Sequence, residues 1–378
     1  MKQIIKNARL PNGQKTDIVI KNGKIVEVVS DWTGEGEIIQ LPKNVYVSPG
    51  WIDLHTHSFP KYEPYCAFPD DIGYKTGVTT VVDAGSCGSN DIGDFFKMSE
   101  QCITRIFAFL NVSSVGLKVR NELADMSRLS LEEILKANEK YSDFIVGLKA
   151  RMSASVVGNN GTIPLEIAKN FSRKIKKPLM VHIGSAPPKL VDIISLLEQG
   201  DIITHCYNEK ADNHMFNDSG LIKNKIKEAI DRGVYLDVGH GTSSFSYPIA
   251  KRAKAENINF HSISTDIYER NKVNGPVYNM ATTLSKFLAL GYSLEEVIHS
   301  VTEMPAKIIN KREIGALQKG VLADLTFFTV ENSEVILNDS MGNELLAENL
   351  VKPYAVMIGG KYYECNSNEF KEGYKCQR

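Results

Sequence analysis

The pattern that most constrains the fold of this chain is an alternation of short apolar runs with amphipathic stretches, which begins near Val47. Apolar runs of this kind, separated by helical segments, are typical of buried parallel strands joined by crossover helices. Eight runs fit the pattern: WIDLHTH, VTTVVDA, RIFAFLNV, FIVGLKA, PLMVHIG, DIITHCY, VYLDVGH and FHSISTD. Eight strands close a barrel, so the sequence predicts an α/β protein with a (β/α)8 TIM-like barrel.

Helices are predicted between and after these strands, because each amphipathic stretch ends near Gly, Asn or a basic residue, as helix C-termini do. The stretches are SLEEILKANEKYSD, PLEIAKNFSRKIK, LVDIISLLEQG, LIKNKIKEAIDRG and YPIAKRAKAEN, followed after the eighth strand by MATTLSKFLALGY and SLEEVIHSVTEMPAKIIN.

The two ends of the chain differ from its middle. The N-terminal runs IIKNARL, DIVIKNGKIVEVV and NVYVS are punctuated by Asn-Gly turns that favour hairpins, and β-rich sequence returns near Gly315 with LADLTFFTV, AVMIGG and KYYEC. We expect the two ends to pair into a small composite β-sandwich domain of residues 1–48 and 315–378, interrupted by the barrel at residues 49–314.

Charge and composition limit the classes of partner. The chain has 378 residues, 43% of them apolar, and a formal net charge of -1, so nothing favours nucleic acid or an anionic membrane over a small-molecule substrate. No run of eighteen apolar residues and no signal-peptide core is present, which favours the cytoplasm. A homo-oligomer is expected only because enzymes of this size are often symmetric assemblies.

The cysteines do not form a recognisable framework. All six are scattered without a C-x-x-C pair, and we expect reduced thiols: Cys66, Cys87, Cys102, Cys206, Cys365 and Cys376. A G-x-S-x-G nucleophile elbow is also missing, so serine hydrolase chemistry has little support.

The first predicted strand carries a pair of histidines two residues apart. Side chains alternate along a strand, so Asp53, His55 and His57 share one face, and two imidazoles in this arrangement can bind one metal ion. Two polar side chains at an ordinary strand end are the alternative reading.

Four further strands end in residues of metal-ligand type. Lys149 ends the fourth strand, His182 the fifth, His205 the sixth and Asp266 the eighth. Taken singly, a lysine here is more often solvated and a histidine more often packed in the core. Five strands that deliver such residues to one face, the active-site face of a barrel, are hard to obtain by chance.

These segments resemble a known family. PGWIDLHTH, GLKARMS, MVHIG, THCYN and STDIY are similar, in this order, to the signature segments of the amidohydrolase superfamily. MVHIGSAPP, DVGHGTSSF and ISTDIYERN resemble more narrowly its amidohydrolase/deacetylase branch, whose members are often labelled dihydroorotase-like or adenine deaminase-like. The resemblance extends over nearly the whole chain.

The resemblance implies two divalent metal ions. His55, His57 and Asp266 would hold one ion, and His182 and His205 the other. Lys149 would bridge them as a carbamate formed with carbon dioxide. Zinc suits these donors best, with manganese, iron and cobalt as alternatives.

A mechanism follows from that implied site. A hydroxide bridging the two ions would attack a polarised carbonyl, and Asp266 would accept its proton and return it to the leaving group. Arg151 lies on the same strand face as Lys149, where it would bind a substrate carboxylate or carbonyl unless it forms a structural ion pair. His240, Asn208 and Asn274 are further candidate substrate contacts.

The leading functional prediction is deacetylation of N-acetyl amino acid derivatives or O-acetylated α-hydroxy acids. A cyclic amidohydrolase of the dihydroorotase type is the alternative, although the arginine typical of that family is missing after the HxH pair, where this chain has HTHSFPKYE. Adenine deamination is less favoured because no purine-specific motif is present. A non-catalytic scaffold is favoured least, because every expected metal-site position is filled.

Overall fold

A computed structural model of the chain describes residues 1–217 and 219–366. Five of the six cysteines lie in these ranges and are unpaired thiols, and Cys376 lies outside them. Fifteen strands are described: β1 (Lys2–Arg9), β2 (Lys15–Lys21), β3 (Lys24–Val29), β4 (Glu37–Ile39), β5 (Tyr46–Pro49), β6 (Trp51–Thr56), β7 (Val78–Ala84), β8 (Arg105–Asn111), β9 (Ile145–Met152), β10 (Leu179–Ile183), β11 (Ile202–Thr204), β12 (Tyr235–Asp237), β13 (Leu325–Asn338), β14 (Glu344–Ile358) and β15 (Lys361–Glu364).

Seven of the eight predicted central strands form one parallel sheet, in the sequential order β6 to β12. Almost every residue of these strands is buried, as expected for a parallel sheet covered on both faces. The eighth predicted run, FHSISTD, is not a regular strand. It makes isolated parallel bridges, Asp237 with Ser262 on one side and Thr56 with Ile267 on the other. The segment 262–267 therefore hydrogen-bonds to both outer strands of the sheet.

The strands from both ends of the chain form a second sheet. Its order is β15-β14-β13-β5-β1-β2-β3, with β4 paired to β1. The sequence predicted a sandwich, whereas the hydrogen bonding gives one continuous mixed sheet, because β5 pairs with β13 on one side and with β1 on the other. The division into two domains at residues 48 and 315 stays a prediction.

Twelve α-helices are described. They are α1 (Pro69–Ile72), α2 (Ile92–Ser99), α3 (Leu131–Lys140), α4 (Ala154–Val157), α5 (Ile163–Ile175), α6 (Leu190–Ser195), α7 (Asn224–Asp231), α8 (Tyr247–Ala255), α9 (Glu269–Asn274), α10 (Met280–Ala289), α11 (Leu294–His299) and α12 (Glu303–Ile308). Among the residues that the structure describes, no helix combines the length and the apolarity that crossing a membrane requires.

The last predicted helix is divided in two. The stretch SLEEVIHSVTEMPAKIIN forms α11, which begins with a capping box between Ser293 and Glu296, and α12 after a break. Pro305 has no amide hydrogen, so it cannot bond to the carbonyl of Val301 as a continuous helix requires. That carbonyl instead accepts the amide of Ile52 in β6 at 2.7 Å. The break thus ties the helical layer to the first strand of the parallel sheet.

The two sheets share a hydrophobic contact. Phe328 of β13 is fully buried in the same core cluster as Trp51 of β6, with the ring centroids 5.3 Å apart. The backbone amide of Trp51 also donates to Oγ1 of Thr326 at 3.1 Å. These contacts fix the terminal sheet against the start of β6, four residues before His55 in the same strand.

The turn between β13 and β14 contacts the chain that follows β12. The amide of Ser340 donates to the carbonyl of Phe245 at 3.0 Å, and the carboxylate of Asp339 accepts the amide of Tyr247 at 2.8 Å. Oγ of Ser340 also donates to the carbonyl of Gly241 at 2.8 Å. The C-terminal hairpin is therefore bonded to the segment 240–247.

Replacing Phe328 by alanine is expected to lower the free energy of unfolding by about 3–5 kcal/mol, because it leaves a cavity between the two sheets. Tyr354→Ala in β14 is the matched control, since that ring is 44% exposed and its loss should cost about 1 kcal/mol or less. Urea denaturation measures both values. Equal losses in the two variants would contradict the proposed packing role of Phe328.

Candidate metal centre

Apart from Asp266, the predicted metal ligands lie in the carboxyl-terminal halves of β6, β9 and β10 or directly after β6 and β11. His55 and His57 come at the end of β6, Lys149 lies in β9, His182 lies in β10 and His205 follows β11. Asp266 belongs to the segment 262–267. The structure brings five of the six to the wall of one cavity of about 90 Å³: His55, His57, Lys149, His182 and Asp266.

His55, His57 and Asp266 form a compact group. One ligand atom from each lies within 4.8 Å of the other two. Nε2 of His57 is 3.1 Å and Nε2 of His55 is 3.4 Å from Oδ1 of Asp266. Two imidazole nitrogens and a carboxylate oxygen at this spacing can bind a single divalent ion.

A second pair of possible metal ligands, His182 and His205, lies beside this group. Nε2 of His205 is 2.8 Å from Nδ1 of His182, and the ring of His205 lies 5.1 Å from that of His55. Nζ of Lys149 is 3.3 Å from Nε2 of His55. Lys149 therefore stands beside both sets of donors.

The tautomer of His55 is determined by a buried hydrogen-bond chain. Oγ1 of Thr204 donates to Oδ2 of Asp237 at 2.7 Å and so accepts from Nδ1 of His55 at 2.8 Å. The proton is thus on Nδ1, and the lone pair of Nε2 points toward Asp266.

His57 and His205 are oriented in the same way. Oγ of Ser86 donates to the carboxylate of Asp83 at 2.7 Å and accepts from Nδ1 of His57 at 2.9 Å. Nδ1 of His205 donates to the carbonyl of Gly239 at 2.6 Å. In all three imidazoles Nδ1 is thus engaged as a hydrogen-bond donor, which leaves Nε2 as the nitrogen that can bind a metal ion.

Burial keeps the nitrogen donors neutral. Desolvation lowers the pKa of His205 to about 4 and the pKa of Lys149 to about 7. Desolvation also lowers the pKa values of His55 and His182 well below the usual value for histidine. Nearby positive charge lowers both further. Neutral donors fit the requirement that metal ligands be deprotonated.

The local backbone is adapted to this crowding. His205 and Asp266 both adopt left-handed conformations, with φ of 68° and 51°, which are uncommon outside glycine and recur at functional sites. A β-carbon at Gly241 would lie 2.4 Å from Oδ2 of Asp266, and one at Gly85 would lie 2.7 Å from Cβ of Lys149. Glycine at these two positions lets the backbone approach the site residues closely.

These observations fit a divalent metal site. Four imidazoles, one carboxylate and a buried amine converge, and the bonds with Thr204 and Ser86 orient two of the imidazoles.

Arg151 lines the cavity but is already paired. Its Nε and Nη2 each lie 2.6 Å from an oxygen of Glu122, a fully buried carboxylate, and Nη2 also donates to the carbonyl of Arg120 at 2.9 Å. Of the two alternatives drawn from the sequence, the structural ion pair is therefore present, and substrate binding by Arg151 stays a prediction.

The structure does not bring the other three predicted substrate contacts to the cavity wall. Nε2 of His240 lies 2.9 Å from Nζ of the buried Lys286, and the amide of Asn208 donates to the carbonyl of His205 at 2.8 Å. Asn274 is an exposed residue at the end of α9. Substrate contact by these residues stays a prediction from the sequence.

Several residues of the site were missed in the sequence. Tyr65 and Tyr268 line the cavity with ring centroids 5.1 Å apart, and Tyr65 lies 5.6 Å from the ring of His57. Thr242 also lines it and shares a hydrogen bond of 2.7 Å with the hydroxyl of Tyr268. Asp237 could have been found in the sequence, because an aspartate inside an apolar strand needs buried hydrogen-bond partners and so indicates a buried polar network.

Comparisons with known proteins agree at the level of the family. Residues 46–362 match the model of the amidohydrolase family. A deacetylase of Enterococcus faecalis is 43% identical over 96% of this chain and 98% of its own length. A solved structure described as an adenine deaminase superposes with a TM-score of 0.94 at 43% identity, covering 96% of this chain and 99% of its own. Another, described as a dihydroorotase, has a TM-score of 0.88 at 33% identity and covers 97% and 98%.

Thr204→Val is expected to lower metal affinity by about 10–100-fold, because it removes the acceptor that orients His55 while keeping the side-chain shape. Thr76→Val is the control, since that buried hydroxyl bonds only to the carbonyls of Ile72 and Gly73. Metal content after dialysis against a competing chelator measures the effect, with circular dichroism as the test of folding. Equal metal retention by both variants would overturn the orienting role of Thr204.

Proposed function

Because the chain belongs to the amidohydrolase family, we propose that it is a metal-dependent deacetylase that hydrolyses an acetyl amide or ester. The enzyme class follows from the family, and the deacetylase name of the relative with 43% identity supports the reaction. The observation that carries the proposal is the shape of the site, in which a small metal-facing cavity opens toward a larger polar one.

We propose that the parallel sheet closes into a (β/α)8 barrel through the segment 262–267. Support comes from its bonds to both neighbours: the amide of His240 donates to the carbonyl of Ser264 at 3.0 Å, and the amide of Asp266 donates to the carbonyl of His55 at 2.7 Å. Closure would leave the metal donors at the carboxyl end of the barrel, where such enzymes have their active sites.

We propose that His55, His57 and Asp266 hold one zinc ion and that His182 and His205 hold a second. When bound, divalent ions supply an activated water and polarise the scissile carbonyl. Addition of carbon dioxide to the neutral amine of Lys149, with release of one proton, would turn Nζ into part of an anionic carbamate with two ligand oxygens. Its burial beside both donor sets and its lowered pKa support this.

Asp266 is proposed to move the proton. Its Oδ1 faces the imidazoles of His55 and His57, and in the described part of the chain Oδ2 has no hydrogen-bond donor. A carboxylate in this position can accept the proton lost by the attacking water and return it to the leaving nitrogen or oxygen. Nη1 of Arg151 is proposed to bind the carboxylate of the substrate.

The two-part shape of the site favours deacetylation over the alternatives. The inner cavity, of about 90 Å³, must also accommodate the proposed metal ions, so it has room only for a small acyl group beside them, and the adjoining cavity, of about 370 Å³, suits the acceptor from which that group is cleaved. A cyclic amide holds its carbonyl and its leaving nitrogen in one ring, and a purine is a fused pair of rings, so either would have to enter the inner cavity as a ring. Tyr65, Arg151 and His182 line both cavities, which are therefore contiguous.

Acetate release from N-acetyl-D- and N-acetyl-L-amino acids and from O-acetyl hydroxy acids tests this function. We expect chelator-sensitive release from at least one series, with a preference for one hand, because Arg151, the metal centre and the wall of the adjoining cavity would contact three different substituents of the stereocentre. A metal-loaded protein that releases no acetate from the panel, but opens dihydroorotate, would establish the cyclic-amide alternative instead.

Asp266→Asn is expected to lower kcat by at least about 100-fold, because the amide cannot accept a proton, while the fold is kept. Circular dichroism and metal content should accompany the rate measurement, so that loss of the proton acceptor is distinguished from loss of an ion. A near-normal rate in a folded, metal-loaded variant would refute the role.

A further inference from the structure

We propose that the larger cavity is an anion subsite, so that the preferred substrate carries a second negative group, a carboxylate or a phosphate, on the part that leaves after deacetylation. This inference rests on the proposed function, because it assigns a substrate class to the same site. Arg120 and Lys210 are the residues proposed to bind the second anion.

The position of the larger cavity supports a role in substrate binding. It shares Tyr65, Arg151, His182, Ser243 and Ser244 with the metal-facing cavity. A volume of about 370 Å³ is in the range of small-molecule sites. A molecule with its acetyl group at the metal donors would therefore extend its other end into this space.

The charge of the larger cavity is one-sided. Arg120, Arg151 and Lys210 line it, and its lining includes no aspartate or glutamate. Arg151 is balanced by the bidentate bond to Glu122, so it offers a hydrogen-bond donor with little net charge. Among residues 1–217 and 219–366, the side chains of Arg120 and Lys210 have no ion-pair partner. The excess positive charge of the cavity therefore resides on these two side chains.

The remaining lining suits an oxyanion. Hydroxyl groups surround the cations and can donate hydrogen bonds to carboxylate or phosphate oxygens: Ser153, Ser155, Ser185, Ser243 and Ser244. A cleft lined by charge of one sign and with low-dielectric walls also attracts ligands of the opposite sign. A neutral acceptor would leave both cations without a partner.

The two anionic groups of such a substrate would have different partners. The carboxylate near the scissile bond would meet Nη1 of Arg151, which is held rigidly by Glu122. The distal group would meet Arg120, which is exposed, and Lys210, which is partly exposed; neither side chain has an ion-pair partner among the described residues, so both can adapt to the ligand. Recognition at two points explains how a site with a small acyl cavity selects one acceptor among many acetylated molecules.

Paired substrates that differ only in the distal charge test the proposal. N-acetylglutamate is compared with N-acetylglutamine, N-acetylaspartate with N-acetylasparagine, and N-acetyl-O-phosphoserine with N-acetylserine, each in both hands. We expect kcat/KM to be about tenfold higher for the anionic member, mainly through a lower KM, because a charge-assisted hydrogen bond is gained. A carboxylate and a phosphate are distinguished by which pair shows the larger ratio.

Two variants assign the effect to its residues. Arg120→Gln and Lys210→Gln should each shrink the ratio between anionic and neutral members severalfold, and the double variant should bring it close to one. Lys227→Gln, an exposed lysine of α7, makes the same change of net charge elsewhere and should keep the wild-type ratio.

The outcomes separate the two proposals. Acetate release with equal kcat/KM for anionic and neutral members overturns the anion subsite and keeps the deacetylase. If neither these compounds nor the O-acetyl hydroxy acids are hydrolysed, the deacetylase proposal fails, and the same pairs are compared by calorimetric binding to the metal-loaded protein. Equal affinities within each pair would then overturn the subsite as well.

Discussion

Two buried carboxylates hold the strand ends of this protein together. Asp237 accepts hydrogen bonds from the hydroxyls of Thr204, Ser262 and Ser264, and Asp53 accepts from the amide and hydroxyl of Thr265. Burial raises the pKa of both groups, and a buried carboxylate is costly unless hydrogen bonds compensate it. The irregular segment 262–267 is thus pinned to β6 on one side and to β12 on the other, and Asp266 is placed by that segment. These bonds therefore hold Asp266 beside the histidines of β6.

Much of the site could be predicted because its residues follow directly after apolar strands. His55, Lys149, His182 and His205 each end such a run, and the carboxyl ends of parallel strands meet at one edge of a sheet. That the eighth predicted strand would be irregular could not be predicted in the same way. Its hydroxyl-rich sequence bonds to buried carboxylates instead of forming a full ladder, and strand patterns do not encode such long-range partners.

The substrate side of the site was harder to predict for a related reason. The sequence left open whether Arg151 binds substrate or forms an ion pair, because its partner Glu122 lies in a loop 29 residues earlier and gives no periodic signal. His240 looked like a ligand contact because it follows a strand, but its ring bonds to Lys286 of α10. The names of similar proteins do not resolve the question, since relatives at 43% identity are described by different reactions. The shape and charge of the two cavities are the features that distinguish among those reactions.

The bonds between the C-terminal hairpin and the segment 240–247 have a consequence for folding during synthesis. Every predicted metal ligand precedes residue 267 in the chain. Asp339 and Ser340 are synthesised much later, and they bond to the chain beside the cavity wall at Thr242, Ser243 and Ser244. On the ribosome, the donors therefore emerge before the wall of their cavity has its final supports. A chain truncated before β13 would therefore carry a complete set of metal donors beside a cavity wall that lacks the bonds from Asp339 and Ser340.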